Sequence, residues 1–152
     1  MPRHSENRYL PYTPEQLFDL VADVARYDEF LPWVVAVRVR SSNQRETVAD
    51  LVVGFNAFKE RFTSRVVKER PRKICVDYVE GPLKFLHNEW QFDPISGGTN
   101  VHFSVDFAFK NRIFESLAGA MFDRALRRMT SAFEQRAATI YGISSSSAQS
   151  AA

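Results

Sequence analysis

Three histidines, His4, His87 and His102, are the side chains of this 152-residue chain best suited to proton transfer or metal ligation. No two of them stand at a short ligand spacing, and the lone Cys75 cannot complete a metal set, so metal-assisted chemistry has no footing in the sequence. His87 and His102 also fall out of phase with their apolar neighbours, and all three histidines are expected at the surface. Acids such as Glu60, Asp77 and Glu89 show no spacing that demands a general acid and base. The chain carries no G-x-S-x-G elbow, no G-x-x-x-x-G-K loop and no G-x-G-x-x-G turn, so hydrolase-elbow, P-loop and dinucleotide readings lack support. What stands out is polar residues sharing the phase of apolar ones. Glu60 and Ser64 alternate in step with Phe58 and Phe62, and Asn88 with Leu86 and Trp90. A buried polar group without a partner costs about 1–3 kcal/mol, so such positions mark either internal hydrogen bonds or the polar head of a ligand.

Charge is distributed unevenly. Lys and Arg number 20 against 18 Asp and Glu, a balance without the excess of a dedicated nucleic-acid binder. Yet Glu15, Asp19, Asp23, Asp28 and Glu29 cluster early, while Lys59, Arg61, Arg65, Lys68, Arg70, Arg72 and Lys73 form a basic stretch. With Arg124 and Arg128, three of these, Lys59, Arg61 and Arg65, are candidates for contact with phosphate on RNA or on an anionic lipid surface. A solvated face is the plainer reading of the same residues.

The elements that would position these groups follow from local pattern. "RHSENRYL" reads as a weak first strand. "TPEQ" offers Thr13 as N-cap, Pro14 at the first helical position and Gln16 closing a capping box. Leu17, Leu20, Val21 and Val24 then keep helical spacing, and the helix is expected to end near Ala25 or Arg26. After an aromatic, proline-stiffened corner, "FLPW", period-two alternation begins with Val35, Val37 and Val39. Further strands are expected in "ETVADLVVGF", "FKERFTSRVVKE", "KICVDYV" and "FLHNEWQFDP". "SGGTN" supplies a hairpin turn, and "VHFSVDFAF" has the cleanest alternation. From Asn111 to Tyr141, Phe114, Leu117, Met121, Ala125, Met129, Ala132 and Phe133 repeat at helical spacing, which predicts one long helix.

With 45% hydrophobic and 25% charged residues, the length suits a single domain over residues 1–143, followed by a disordered tail, "SSSSAQSAA", over 144–152. One cysteine fits a reducing compartment, here as a buried strand thiol. No apolar run resembles a signal peptide or approaches a membrane span, which points to a cytoplasmic protein. Strands in series with one long helix predict an α+β fold with a seven-stranded antiparallel sheet. Such a sheet is about 29 Å wide and a helix about 10–12 Å across. A twisted sheet curls around the helix and leaves an internal apolar hollow, capped by the early helix and "FLPW". Thirteen phenylalanines could equally be packing alone.

Four runs carry a family resemblance: "LVADVARYDEFLPWV" (20–34), "VGFNAFKERFTSRV" (53–66), "GPLKFLHNEWQF" (81–92) and "VHFSVDFAFKN" (101–111). Over about residues 3–141 the chain resembles the coenzyme-Q-binding START-domain proteins of the polyketide cyclase/dehydrase-like helix-grip superfamily. D-V-x-x-Y-x-x-F-L-P-W, from Asp23 to Trp33, is the most specific part. Asp28 and Val34 depart from the Pro and Cys common there, at positions that look like packing. The resemblance implies a helix-grip fold and a non-catalytic ubiquinone chaperone supporting respiratory electron transfer, with no required cofactor and ubiquinone as bound ligand.

On that reading an isoprenoid quinone or other hydrophobic ligand lies against Trp33, Val53, Phe62, Trp90, Phe103 and Phe107. Leu117 and Met121 contribute from the helix, and Ser64 or Asn88 meets the head group. Transient contact with an anionic inner-membrane surface would let the protein collect its cargo. The same motif occurs in bacterial ribosome-association toxins, which gives an alternative in which the basic stretch docks on the large ribosomal subunit. A polyketide cyclase or dehydratase is a third reading, and it lacks an identifiable acid/base pair.

Overall fold

A computed structural model describes residues 3–55 and 58–142, with the side chains of Phe55, Phe58 and Leu117 outside that description. The 144–152 tail also lies outside the described residues. In chain order the elements are β1 (Arg3–Leu10), α1 (Pro14–Ala22), a 3-10 helix (Val24–Glu29), β2 (Val34–Ser42), β3 (Glu46–Phe55), β4 (Phe58–Glu69), β5 (Lys73–Glu80), β6 (Leu83–Ile95), β7 (Gly98–Phe109), α2 (Arg112–Arg127) and α3 (Met129–Tyr141). All seven strands form one antiparallel sheet in the order β1-β7-β6-β5-β4-β3-β2. β2 to β7 lie side by side in chain order, and β1 pairs with β7 along its whole length.

Alternation decides which face of the sheet carries the core. On β7, Val101, Phe103, Val105 and Phe107 are all buried, as are Trp90 and Phe92 on the neighbouring β6. Each such side chain contributes about 1.5–3 kcal/mol when fully buried, so these two long strands anchor the domain. They meet at a two-residue turn, Ser96–Gly97, in which Gly97 has φ +80. Gly98 follows where β1 ends, and a Cβ there would lie 2.3 Å from the Leu10 carbonyl oxygen.

The capping box forms as its residues dictate: the Gln16 amide donates to Thr13 Oγ1 at 3.1 Å, and the Thr13 amide to Gln16 Oε1 at 3.0 Å. α1 nevertheless ends at Ala22, short of Ala25, because Asp23 leaves helical geometry (φ −83, ψ 66) and the chain tightens into the 3-10 helix. The Tyr27 hydroxyl holds that turn by donating to the Val21 carbonyl.

The expected single C-terminal helix is two, meeting at Arg128. Its amide donates to both the Arg124 and Ala125 carbonyls at 3.1 Å, a tightening of the last turn rather than an interruption by Pro or Gly. α3 is held against the sheet edge by polar contacts. Arg8 donates to Ser131 Oγ at 3.1 Å and to Glu134 Oε1 at 2.9 Å, while Thr130 Oγ1 donates to Glu6. The polar character that makes β1 weak as a sequence signal thus has a structural purpose: its inward Glu6 and Arg8 meet a helix rather than the apolar interior.

On β2 the simple alternation fails. Irregularities between Val34 and Ala36 and between Val39 and Ser41 shift its register. Val35 and Val39 are therefore exposed on this edge strand while Val34 is buried, and Val37 is half-buried. His4 also departs from expectation, since its side chain is only 15% exposed and its ring lies 6.1 Å from that of Phe103. His87 and His102 do point away from the core, bonded to Asp77 and Asn7. Cys75 is half-buried rather than buried, opposite Glu89, and burial pushes its thiol pKa up.

Candidate functional site

The concave face of β3–β7 is the floor of an apolar cavity of about 130 Å³, with α2 and α3 above it and the aromatic corner at one side. The corner builds its wall in a definite way. Phe30 packs on α3, its ring 5.0 Å from that of Phe133, and the Arg136 guanidinium lies over the Phe30 ring, 5.0 Å from its centroid. That leaves Leu31, 1% exposed, and Trp33, half-buried, to face the cavity. The Gly54 amide donates to the Trp33 carbonyl at 2.9 Å, tying the corner to β3.

Polar groups in this wall are few. The Asn88 side-chain amide donates to the Ser104 carbonyl at 2.9 Å and its Oδ1 accepts from Trp90 Nε1 at 3.0 Å, so Asn88 fixes the indole and keeps one acceptor lone pair and one donor in reserve. Ser64 lines the cavity and has no hydrogen bond among the described residues. Tyr27 is the only titratable residue among the described lining. Desolvation of its hydroxyl pushes its pKa far up, with Asp23 adding to the effect, so it remains a neutral phenol. The arrangement can hold a ring or a short chain by apolar contact and offer a hydroxyl to one oxygen. An engineered cavity of about 150 Å³ in another protein takes up benzene, which sets the scale at one ring.

Seven of the expected site residues meet here: Trp33, Val53, Phe62, Ser64, Asn88, Trp90 and Phe103. Phe107 does not. It is buried behind the wall, packed on Phe122 at 4.9 Å and on Phe109 at 5.9 Å. Met121 lies at an outer groove rather than in the cavity, and the side chain of Leu117 lies outside the described residues. The helical lining comes instead from Phe122, Ala125, Leu126, Met129 and Phe133. The outer groove, about 240 Å³, is bounded by Pro32, Gly54, Met121, Arg124 and Arg128, and it shares Trp33 and Ala125 with the cavity. The two spaces adjoin at these two side chains, and the groove is referred to as the mouth.

The five candidate phosphate-contacting residues do not form one surface. Lys59, Arg61 and Arg65 project from β4 on the side opposite Phe62, Ser64 and Val66, and Arg65 pairs with Glu46 at 3.5 Å. Arg124 and Arg128 stand at the mouth, on the helical side. Strand alternation separates the first group from the cavity. No helix among the described residues is long and apolar enough to cross a membrane.

Comparison with known proteins bears on this geometry. The family model described as "Polyketide cyclase / dehydrase and lipid transport" matches residues 10–134. The chain is 37% identical over 134 residues to the ribosome association toxin RatA of Rickettsia prowazekii, covering 86% of this chain and 92% of that protein. It is 36% identical over 147 residues to the mitochondrial coenzyme Q-binding protein COQ10 homolog B of Xenopus laevis, covering 91% of this chain and 59% of that one. Among solved structures, the 18 kDa protein CC1736 of Caulobacter crescentus is 37% identical with a TM-score of 0.71, covering 94% of this chain and all, 100%, of that one. A START superfamily protein from Mycobacterium smegmatis, 15% identical with a TM-score of 0.72 over 91% of this chain and 98% of its own, shares the fold.

Proposed function

Since the chain belongs to the polyketide cyclase/dehydrase and lipid-transport family, we propose that it is a carrier that binds the head group of an isoprenoid quinone, ubiquinone above all, without transforming it. The observation that supports this most is the cavity: about 130 Å³, almost wholly apolar, with Ser64 and Asn88 as the polar residues of its lining besides Tyr27. A quinone ring presents flat apolar faces to such walls and carbonyl oxygens to such donors. A long isoprenoid tail exceeds this volume, so it leaves through the mouth past Trp33. The coenzyme Q-binding relative, at 36% identity, has the matching ligand in its name. The test is mass spectrometry of organic extracts of the purified protein. A co-purifying quinone is expected, and an extract holding no lipid from protein made in quinone-producing cells would contradict the reading.

The relatives named ribosome association toxin support a second reading, in which the protein binds the large ribosomal subunit. Its contact surface would be the outward cations of β4, Lys59 and Arg61, for which no ion pair occurs among the described residues. Co-sedimentation with large subunits that weakens steeply with salt, and is lost on Lys59→Glu/Arg61→Glu, would favour it.

A further inference from the structure

Arg124 and Arg128 stand one turn apart: the Arg128 amide donates to the Arg124 carbonyl at 3.1 Å, which brings the two side chains to one face of the helix with Cβ atoms about 5–6 Å apart. Both are exposed, and neither has an ion pair among the described residues. Two like charges at this spacing weaken a helix. Their neighbour Arg127 shows the usual remedy, a bond to Asp123 Oδ2 at 2.8 Å. The unrelieved pair flanks the mouth, whose floor is Trp33 and Ala125, and those same two residues also wall the inner cavity. A groove that adjoins the apolar cavity and is lined by two arginines matches a molecule that is apolar along its length and anionic at its end.

The geometry points to an anion subsite: the mouth accepts single-chain amphiphiles bearing a carboxylate or phosphate, with the chain passing Trp33 into the cavity and the head held between Arg124 and Arg128. This goes beyond the uncharged quinone ring while resting on the same cavity. Guanidinium groups bond oxyanions through charge-assisted hydrogen bonds, roughly twice as strong as neutral ones. An alcohol of equal chain length gains none of that.

The experiment titrates the protein with decanoate and, separately, with decanol, below their aggregation limits, following tryptophan fluorescence. Decanoate is expected to bind about tenfold tighter in low salt, and the ratio to fall toward one at high salt as the charges are screened. In the Arg124→Gln/Arg128→Gln variant the ratio falls to about one at low salt as well. The wild-type salt series reads the same quantity if that variant fails to fold. Equal binding of the two ligands by the wild type overturns the subsite and leaves the cavity standing. Binding of neither overturns both. Equal binding together with arginine-dependent binding to phosphatidylglycerol vesicles also overturns it, because the arginines then serve a bilayer surface instead of a ligand head.

Discussion

Val76→Phe separates a hollow interior from a filled one by the sign of its effect. Val76 lies at the centre of β5, paired with Val66 on one side and Asn88 on the other, and its side chain lines the cavity. An unfilled space of 130 Å³ costs about 3 kcal/mol at about 24 cal/mol per Å³. A phenyl ring in place of the isopropyl group occupies roughly a third of it, which returns about 1 kcal/mol in the ligand-free protein. Phe and Val are both good strand residues, so the backbone adds little to the change. For a chain of this length the gain corresponds to about 2–4 °C in melting temperature. Calorimetry of the delipidated protein measures it, and a parallel titration should show quinone binding reduced by at least about tenfold, as the ring's place is taken. A melting temperature lowered by several degrees with quinone affinity intact would refute the reasoning, because overpacking a solid core costs about 1–3 kcal/mol.

Ser64→Ala should leave stability within about 0.5 kcal/mol, since the hydroxyl has no partner to lose, while weakening quinone binding about three- to tenfold; urea unfolding reads the first claim and titration calorimetry the second. On the outer face of the sheet, burial pushes the Asp50 carboxyl up, but hydrogen bonds from Thr63 Oγ1 at 2.6 Å and Arg40 Nε at 2.9 Å outweigh it and hold the folded pKa below the ordinary value. Its contribution is therefore complete above the unfolded pKa and is lost as pH falls through the folded one. Arg40→Ala removes one of these supports, so the acid-unfolding midpoint followed by circular dichroism should move to higher pH, with an unchanged midpoint counting against this account. Thr13→Ala removes the hydroxyl half of the capping box, the acceptor for the Gln16 amide, and should cost about 1 kcal/mol in urea unfolding, without altering the quinone titration, because α1 contributes no residue to the described lining.

The sequence carried the sheet far better than the details of its lid. Period-two alternation on β7 and β6 identifies Phe103 and Trp90 as inward residues because a pleated strand leaves them no other face. The capping box at Thr13 is equally local, and equally legible. On α2, by contrast, two apolar stripes compete: Phe114, Leu117 and Met121 on one, Ala118, Phe122 and Ala125 on the next, rotated by about 100°. Only packing chooses between them, and it chooses Phe122, whose ring stacks on Phe62 at 5.7 Å. Leu31 was hidden for a different reason. A residue in an irregular corner has no period to betray its burial, although its motif marked the segment as unusual. The displaced register of β2 depends on irregularities that a run of valines cannot announce, and the anchoring of α3 depends on contacts such as Arg8 to Glu134 that span most of the chain.

The two tryptophans of the chain, Trp33 and Trp90, both line the cavity, so one titration addresses the claim that this hollow receives a quinone ring. Added short-tailed ubiquinone should quench their emission saturably, at one molecule per chain, and Val76→Phe should abolish that saturable phase. Quenching that rises only linearly with quinone, alike in the wild type and in Val76→Phe, would mean collision at the surface and would contradict it.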